Sequence, residues 1–185
     1  NTAGQLSGLS DTVFDEIAFG LINQGMSEEE ASKSVVRAAC QMGLENLLEQ
    51  APDTLSGGQT QRLAIASEIA FDPEFLIMDD PTSQMDPVGR KEFFEWLAGC
   101  SEKTIFIVSN EVDDLCEIAD QLWVLEKGEL IASGKPLDVI NQVAEGHDLY
   151  LPVVYRMAKE LGKKLPSGLF PVKLSELKGC FDDQN

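Results

Sequence analysis

Basic residues are scarce in this sequence: 14 Lys and Arg stand against 32 Asp and Glu, for a formal charge of −18. A surface so acidic repels nucleic-acid backbones and anionic head groups instead of displacing their counterions, which argues against direct nucleic-acid binding. Histidine occurs once, at His147, and the four cysteines, Cys40, Cys100, Cys116 and Cys180, include no C-x-x-C pair. No zinc knuckle or dithiol redox motif can be built from them, and a reduced cytoplasmic protein fits best. There is no apolar run of the roughly eighteen residues that a membrane-spanning helix needs, and no signal peptide is visible. Also missing is the phosphate loop G-x-x-x-x-G-K-[ST]. The nearest imitation, Gly128 to Gly134-Lys135, has five residues between its glycines and runs into Pro136, so it reads as a hairpin end.

What is present suffices for a folded protein. The 185 residues are 43% hydrophobic, enough for one substantial core and a smaller second lobe. Residues 1–10 read as a loop. A short helix capped by Asp11 or Thr12 carries Val13, Ile17, Phe19 and Leu21, with Asp15 and Glu16 in its first turn. Ser27 and Glu30 form a capping box that opens a helix to about Met42, ended by Gly43. A short helix over 44–48 and the polar turn Pro52-Asp53-Thr54 follow.

Leu55-Ser56-Gly57-Gly58-Gln59 then leads straight into an apolar-periodic helix reaching about Phe71. A serine cap followed by two glycines leaves first-turn N–H groups open at the positive end of the helix dipole, which suits an anion. Phe75–Met78 is a continuous apolar run ended by Asp79 and Asp80, as expected of a strand buried on both faces of a parallel sheet. Pro87 starts a helix to about Ala98, and Thr104–Val108 reads as a second buried strand. A short helix over 113–119, a hairpin with Lys127-Gly128 at its turn, and a helix from Pro136 to about Val143 complete an α/β pattern. Gly146-His147-Asp148 is a break, with His147 expected on the surface; then come a helix over 153–161, an irregular stretch around Pro166 and Pro171, and Leu174–Leu177.

The order L-S-G-G-Q-T-Q-R, then an apolar strand with D-D-P-T-S-Q-M-D-P, resembles the ATP-binding-cassette (ABC) ATPases across the signature motif, Walker B strand and D-loop. Thr12–Gly20 and the stretch from Leu151-Pro152 to Leu161, followed by Pro166 and Leu174–Leu177, are similar to the energy-coupling-factor (ECF) subfamily, which powers cobalt, nickel and vitamin uptake. The resemblance implies an α/β P-loop NTPase fragment. Its expected divisions are a segment and helical signature subdomain over 1–72, part of the parallel-sheet core over 73–145, and a tail over 146–185. It implies an ATP-hydrolysing importer subunit, peripheral on the cytoplasmic membrane face, using ATP and Mg²⁺ with a second cassette and an integral-membrane subunit, and not nucleic acid.

Carried over by position, Ser56, Gly57, Gly58 and Gln59 would contact the γ-phosphate of a nucleotide held mainly by the partner cassette. Asp79 would organise Mg²⁺, Asp86 would lie at the dimer interface, and Asp15 and Glu16 are candidates to meet basic residues of the membrane subunit, with a solvated acidic face as the other reading. Three departures qualify the resemblance. Asn1 aligns just after the expected Q-loop glutamine, so the chain as given is expected to lack Walker A and to bind ATP weakly alone; its unpaired sheet edges would invite association. Asp80 stands where the family has the glutamate that polarises attacking water, about 1.5 Å shorter in reach, and a misplacement of ~1 Å costs on the order of a hundredfold in rate. Asn110 replaces the switch histidine and lacks its proton chemistry. The intact signature with a weakened catalytic side favours a heterodimer or tandem fusion. The alternatives are a non-catalytic regulatory cassette and a soluble cassette acting on nucleic acid or ribosomes, the latter opposed by the acidic charge.

Overall fold

The structure, a computed structural model, describes residues 6–147 and 149–182. The first half of the expected N-terminal loop and Asp148 of the expected break lie outside these residues. The chain forms two compact units, Asn1–Ser109 and Asn110–Asn185.

In the first unit, α1 (Val13–Asn23), α2 (Glu28–Gln41) and α3 (Gly57–Ile69) pack on one another. Each start is written in local chemistry. Thr12 Oγ1 accepts from the Asp15 amide at 3.0 Å, and both Ser27 with Glu30 and Ser56 with Gln59 make reciprocal capping boxes. The lobe is sealed by Val13, Ile17, Leu21, Val35, Leu44 and Leu63, all inaccessible to solvent. Arg37 adds a polar tie, its Nη2 donating to the Ala70 carbonyl at the end of α3. The helix expected over 44–48 is a single 3-10 turn, Glu45–Leu47, too short to close an α-helical ring between Gly43 and the following turn.

A two-stranded parallel sheet follows, β1 (Phe75–Asp79) paired with β2 (Thr104–Val108), with α4 (Pro87–Ala98) between them in sequence. Register sets Ile77 beside Phe106 and Asp79 beside Val108. The expectation that both strands are buried on both faces is corrected. Leu76 and Met78 are buried, but Phe75, Ile77 and Val108 are 51%, 71% and 63% exposed. Only one face of the pair is covered by the described residues, and an apolar run does not encode which layers reach it.

Lys103 fastens the beginning of β2, its Nζ donating to the Asp72 carboxylate at 2.7 Å and to the Pro73 carbonyl at 2.9 Å. The bond and charge of Lys103 hold the Asp72 carboxyl below its ordinary value of 3.8. The folded form is thus the stronger acid. Its contribution to stability is present above the ordinary value and is lost as pH falls through the lower, folded value. Urea midpoints measured below about pH 4 should fall less steeply for Asp72→Asn than for the unsubstituted chain; parallel slopes would refute the link. Exposure and screening keep the effect small.

The second unit holds α5 (Val112–Ile118), an antiparallel hairpin of β3 (Leu122–Glu126) and β4 (Glu129–Gly134), α6 (Pro136–Val143), α7 (Val153–Glu160) and α8 (Leu174–Asp182). Lys127 and Gly128, both at positive φ, make the tight turn. Gly134 closes β4 and Lys135 caps α6, so this stretch is a hairpin end as expected. One correction falls here. His147 is half-buried, its Nδ1 2.9 Å from a Glu126 carboxylate oxygen. The tail after Pro171 is a helix, because Glu117 accepts from the Leu174 amide while Glu176 accepts from the Val172 and Lys173 amides, satisfying its opening turn. Asn141 pins the irregular stretch by exchanging two hydrogen bonds with the Phe170 backbone.

Candidate nucleotide site

Ser56 caps α3 with an extended backbone; its amide donates to Gln59 Oε1 at 2.8 Å, and its Oγ accepts from the Gln59 amide at 3.4 Å. These two side chains therefore satisfy one another at rest. The Gly57 and Gly58 amides, in the first turn, have no intrahelical acceptor and point along the positive end of the dipole.

The glycines do more than admit a ligand. A Cβ on Gly58 would stand 2.9 Å from the Gln84 carbonyl oxygen and 3.4 Å from Met85 Cα, whereas one on Gly57 would meet only the mobile end of the Gln84 side chain, at 2.9 Å. The loop after β1 thus lies directly on the start of α3. It begins with Asp79, exposed at the strand's C-terminal end, where parallel sheets bind ligands. Asp80 follows at φ +48°, its amide donating to the Val108 carbonyl at 2.7 Å. The loop closes at Asp86, which caps α4 by accepting from the Gly89 amide at 2.7 Å, so that its carboxylate already serves the fold.

Sequence reasoning missed Gln61. It is buried on α3, on the face shared with Ala64 and Ile69, and its amide spans the gap to the loop. Nε2 donates to the Asp80 carbonyl at 3.0 Å, and Oε1 accepts from the Gln84 amide at 2.9 Å. A polar residue at a core-facing helical position was the available signal, because such a group is retained only with partners. Beside it an open cleft of about 830 Å³ runs between α3 and the uncovered side of β1, with Gln61, Glu68, Phe75, Ile77, Asp79 and Asp80 on its walls.

Asn110 is exposed and opens the second unit. Asp15 is exposed, but Glu16 is buried and accepts from the Ser7 hydroxyl at 2.7 Å and from the Ser7 amide. Glu16 is therefore corrected from a partner-facing acid to an internal anchor for the segment before α1. No group of three or more His, Cys, Asp or Glu able to hold a metal occurs among the described residues. A single exposed carboxylate of Asp79's kind does suit Mg²⁺, which keeps waters and arrives with phosphate oxygens.

A Ser-Gly-Gly-Gln helix start seated against a strand-end carboxylate loop, in a helical lobe beside a parallel strand pair, places the fold among the P-loop NTPases of the ATP-binding-cassette class. Residues 5–83 match the family model described as ABC transporter. The sequence is 38% identical over 174 residues to the energy-coupling factor transporter ATP-binding protein EcfA2 of Streptococcus pneumoniae serotype 2, covering 91% of this chain. An EcfA2 of Streptococcus pyogenes is 39% identical over the same share. This chain spans 62% of the length of these relatives. Among solved structures it is similar to cbiO1 of Clostridium perfringens, described as part of the ABC transporter complex cbiONQ, with a TM-score of 0.67 and 28% identity over 88% of this chain and 64% of that one. A bacterial ABC transporter cassette solved as a dimer aligns with a TM-score of 0.64 and 27% identity over 71% of this chain and 59% of its own.

Proposed function

We propose that this chain is part of the ATP-hydrolysing subunit of an ECF-type importer, which turns ATP-driven closure of two cassettes into uptake of a metal ion or vitamin. The observation that carries the reading is the signature start, Ser56–Gln59, clamped against the Asp79–Asp86 loop. In this reading the Gly57 and Gly58 amides, with Ser56 and Gln59 released from their mutual cap, receive the γ-phosphate of a nucleotide on the partner cassette. Asp79 would hold Mg²⁺, which when bound neutralises charge on the phosphate oxygens. Asp80 orients water for its own site, Asn110 donates a neutral hydrogen bond there, and Asp86 lies toward the partner.

The functional division assigns the signature lobe to 1–72, the catalytic core to 73–145 and the tail to 146–185. Partners are a second cassette, as heterodimer or tandem fusion, and an integral-membrane subunit, so the protein works peripherally at the cytoplasmic face of the membrane. No helix among the described residues is long and apolar enough to cross a membrane. The relatives' printed roles and the exposed Asp15 support a membrane partner. The short Asp80 favours an asymmetric pair in which this signature completes the partner's competent site. A purely regulatory cassette is the second reading, favoured by Asp80 and Asn110 together.

The test is to purify the native assembly through a tag on this protein, identify the co-purifying chains, and measure Mg²⁺-dependent ATP hydrolysis with Asp80→Asn and with the partner's corresponding glutamate changed. A second cassette, a membrane subunit and a larger loss from the partner's change are expected. Equal, complete losses would end the asymmetric reading; absence of ATP hydrolysis from the unsubstituted assembly would leave the regulatory one.

A further inference from the structure

Three buried polar side chains stand out among the described residues, Glu16, Gln61 and Thr82, and of these Gln61 joins two segments that the proposed function treats separately. One is the signature start, which serves the partner's nucleotide. The other is the Asp79–Asp80 strand end, which serves this chain's own. We propose that Gln61 is a positioning residue that links the two sites, so that a phosphate seated on Ser56–Gly58 is sensed at Asp80. The proposal rests on the ATP-cassette reading above.

The geometry of the link is a clamp with two points. At the first, Gly58 allows the Gln84 carbonyl to approach so closely that a Cβ would lie 2.9 Å from it. At the second, one helical turn along, Gln61 accepts from the Gln84 amide at 2.9 Å and donates to the Asp80 carbonyl at 3.0 Å. A weaker contact from Nε2 reaches Ser83 Oγ at 3.5 Å. A segment touched at two points a turn apart cannot slide or roll against α3 without breaking one of them, so small movements of the signature helix are carried into the loop.

Asp80 is the sensitive receiver. Its φ of +48° is a backbone state that a residue with a Cβ adopts only when its surroundings hold it there. Those surroundings include its amide's bond to the Val108 carbonyl on β2 and its carbonyl's bonds to Gln61 at 3.0 Å and to the Ser83 amide at 3.3 Å. Removing the Gln61 bond leaves that carbonyl with only the longer Ser83 bond, so that the peptide between Asp80 and Pro81 relaxes and turns the Asp80 carboxylate away from where water must be held. The signature residues themselves keep their cap, so nucleotide affinity at the partner's site is not the quantity that changes.

Two substitutions separate the halves of the amide. Gln61→Glu keeps an acceptor for the Gln84 amide but faces the Asp80 carbonyl with oxygen; Gln61→Met keeps length and volume and supplies neither group. In this chain, amide hydrogen exchange at Gln84 should quicken about tenfold in Gln61→Met, the scale of one ordinary hydrogen bond, and stay unchanged in Gln61→Glu. In the native assembly with the partner's catalytic glutamate changed, so that the remaining turnover is that of the Asp80 site, both variants should lower kcat by about ten- to a hundredfold while KM for ATP remains near its starting value. Unchanged exchange at Gln84 in Gln61→Met overturns the clamp. A changed exchange with kcat unaltered, or with KM shifting as much as kcat, overturns the coupling while leaving the clamp. An unsubstituted assembly that does not hydrolyse ATP overturns the functional reading and the coupling with it, and the exchange result then still decides the clamp by itself.

Discussion

Gly58→Val should cost the first unit about 1–3 kcal/mol, the range for forcing extra carbon into a filled space, while Gly57→Ala should lie within about 0.5 kcal/mol of the unsubstituted chain. The two positions are adjacent and chemically identical, so sequence alone would treat them alike. Their neighbours differ. A Cβ at Gly58 meets the Gln84 carbonyl and Met85 Cα, which are backbone and fixed by Gln61 and by the turn after Asp80; a Cβ at Gly57 meets the end of the Gln84 side chain, which can swing aside. Replacing Gly57 also removes some unfolded-chain freedom, which offsets the small contact. Urea titrations of the three proteins, fitted with a common slope, measure the difference. Equal midpoints for Gly58→Val and Gly57→Ala would show that the loop does not rest on α3. Under the proposed function, because the same carbonyl approach is one point of the Gln61 clamp, Gly58→Val should also remove ATP-driven cassette pairing, through displacement of the loop as well as by blocking phosphate.

That contrast marks how far a sequence can be taken. The start of α2 was legible because a capping box involves residues three apart and nothing distant, that of α3 because Ser56 is a good cap residue ahead of two glycines, and that of α4 because Pro87 suits the first helical position. The signature and the Walker B strand end were legible as motifs. Their mutual contact was not, because the stretch between Gln61 and Asp80, 19 positions apart, carries no sign of which side chain spans the gap. Glu16 shows the same limit in another form. Its place in the first turn of α1 suits an exposed acid by dipole chemistry alone, and only the return of Ser7 over that turn makes it internal.

The strand pair shows a third kind of limit. Phe75–Met78 and Ile105–Val108 are apolar throughout, a pattern that fits coverage on two faces, yet Ile77 and Val108 are exposed while Leu76 and Met78 are not. Patterning records which residues tolerate burial, and the layers that do the burying are set by other parts of the chain. Positive φ at Asp72 and Asp80 was equally hidden, since each carries a Cβ and no glycine announces the turn.

Leu63→Ala should be the most damaging single change in the first unit, costing about 2–5 kcal/mol. Leu63 has no accessible surface and sits two residues beyond Gln61, on the side of α3 that faces the helical lobe. There Ile17 and Leu21 of α1 and Val35 of α2 are likewise fully enclosed, and α1, α2 and α3 are in mutual contact. Truncation removes three carbon atoms from the junction of three helices, each held at its start by a cap, so collapse into the space is restricted and most of the cavity persists. A marginal domain has only about 5–15 kcal/mol in total, so this loss is a large fraction of it, and unfolding by urea at neutral pH should report it directly. The same variant separates packing from chemistry at the signature. If the apolar side of α3 only holds the helix in place, then under conditions where Leu63→Ala remains folded the Gln84 amide should exchange as in the unsubstituted chain, because Gln61 and Gly58 still grip the loop. Faster exchange at Gln84 in the folded variant would mean instead that the clamp depends on the lobe behind it.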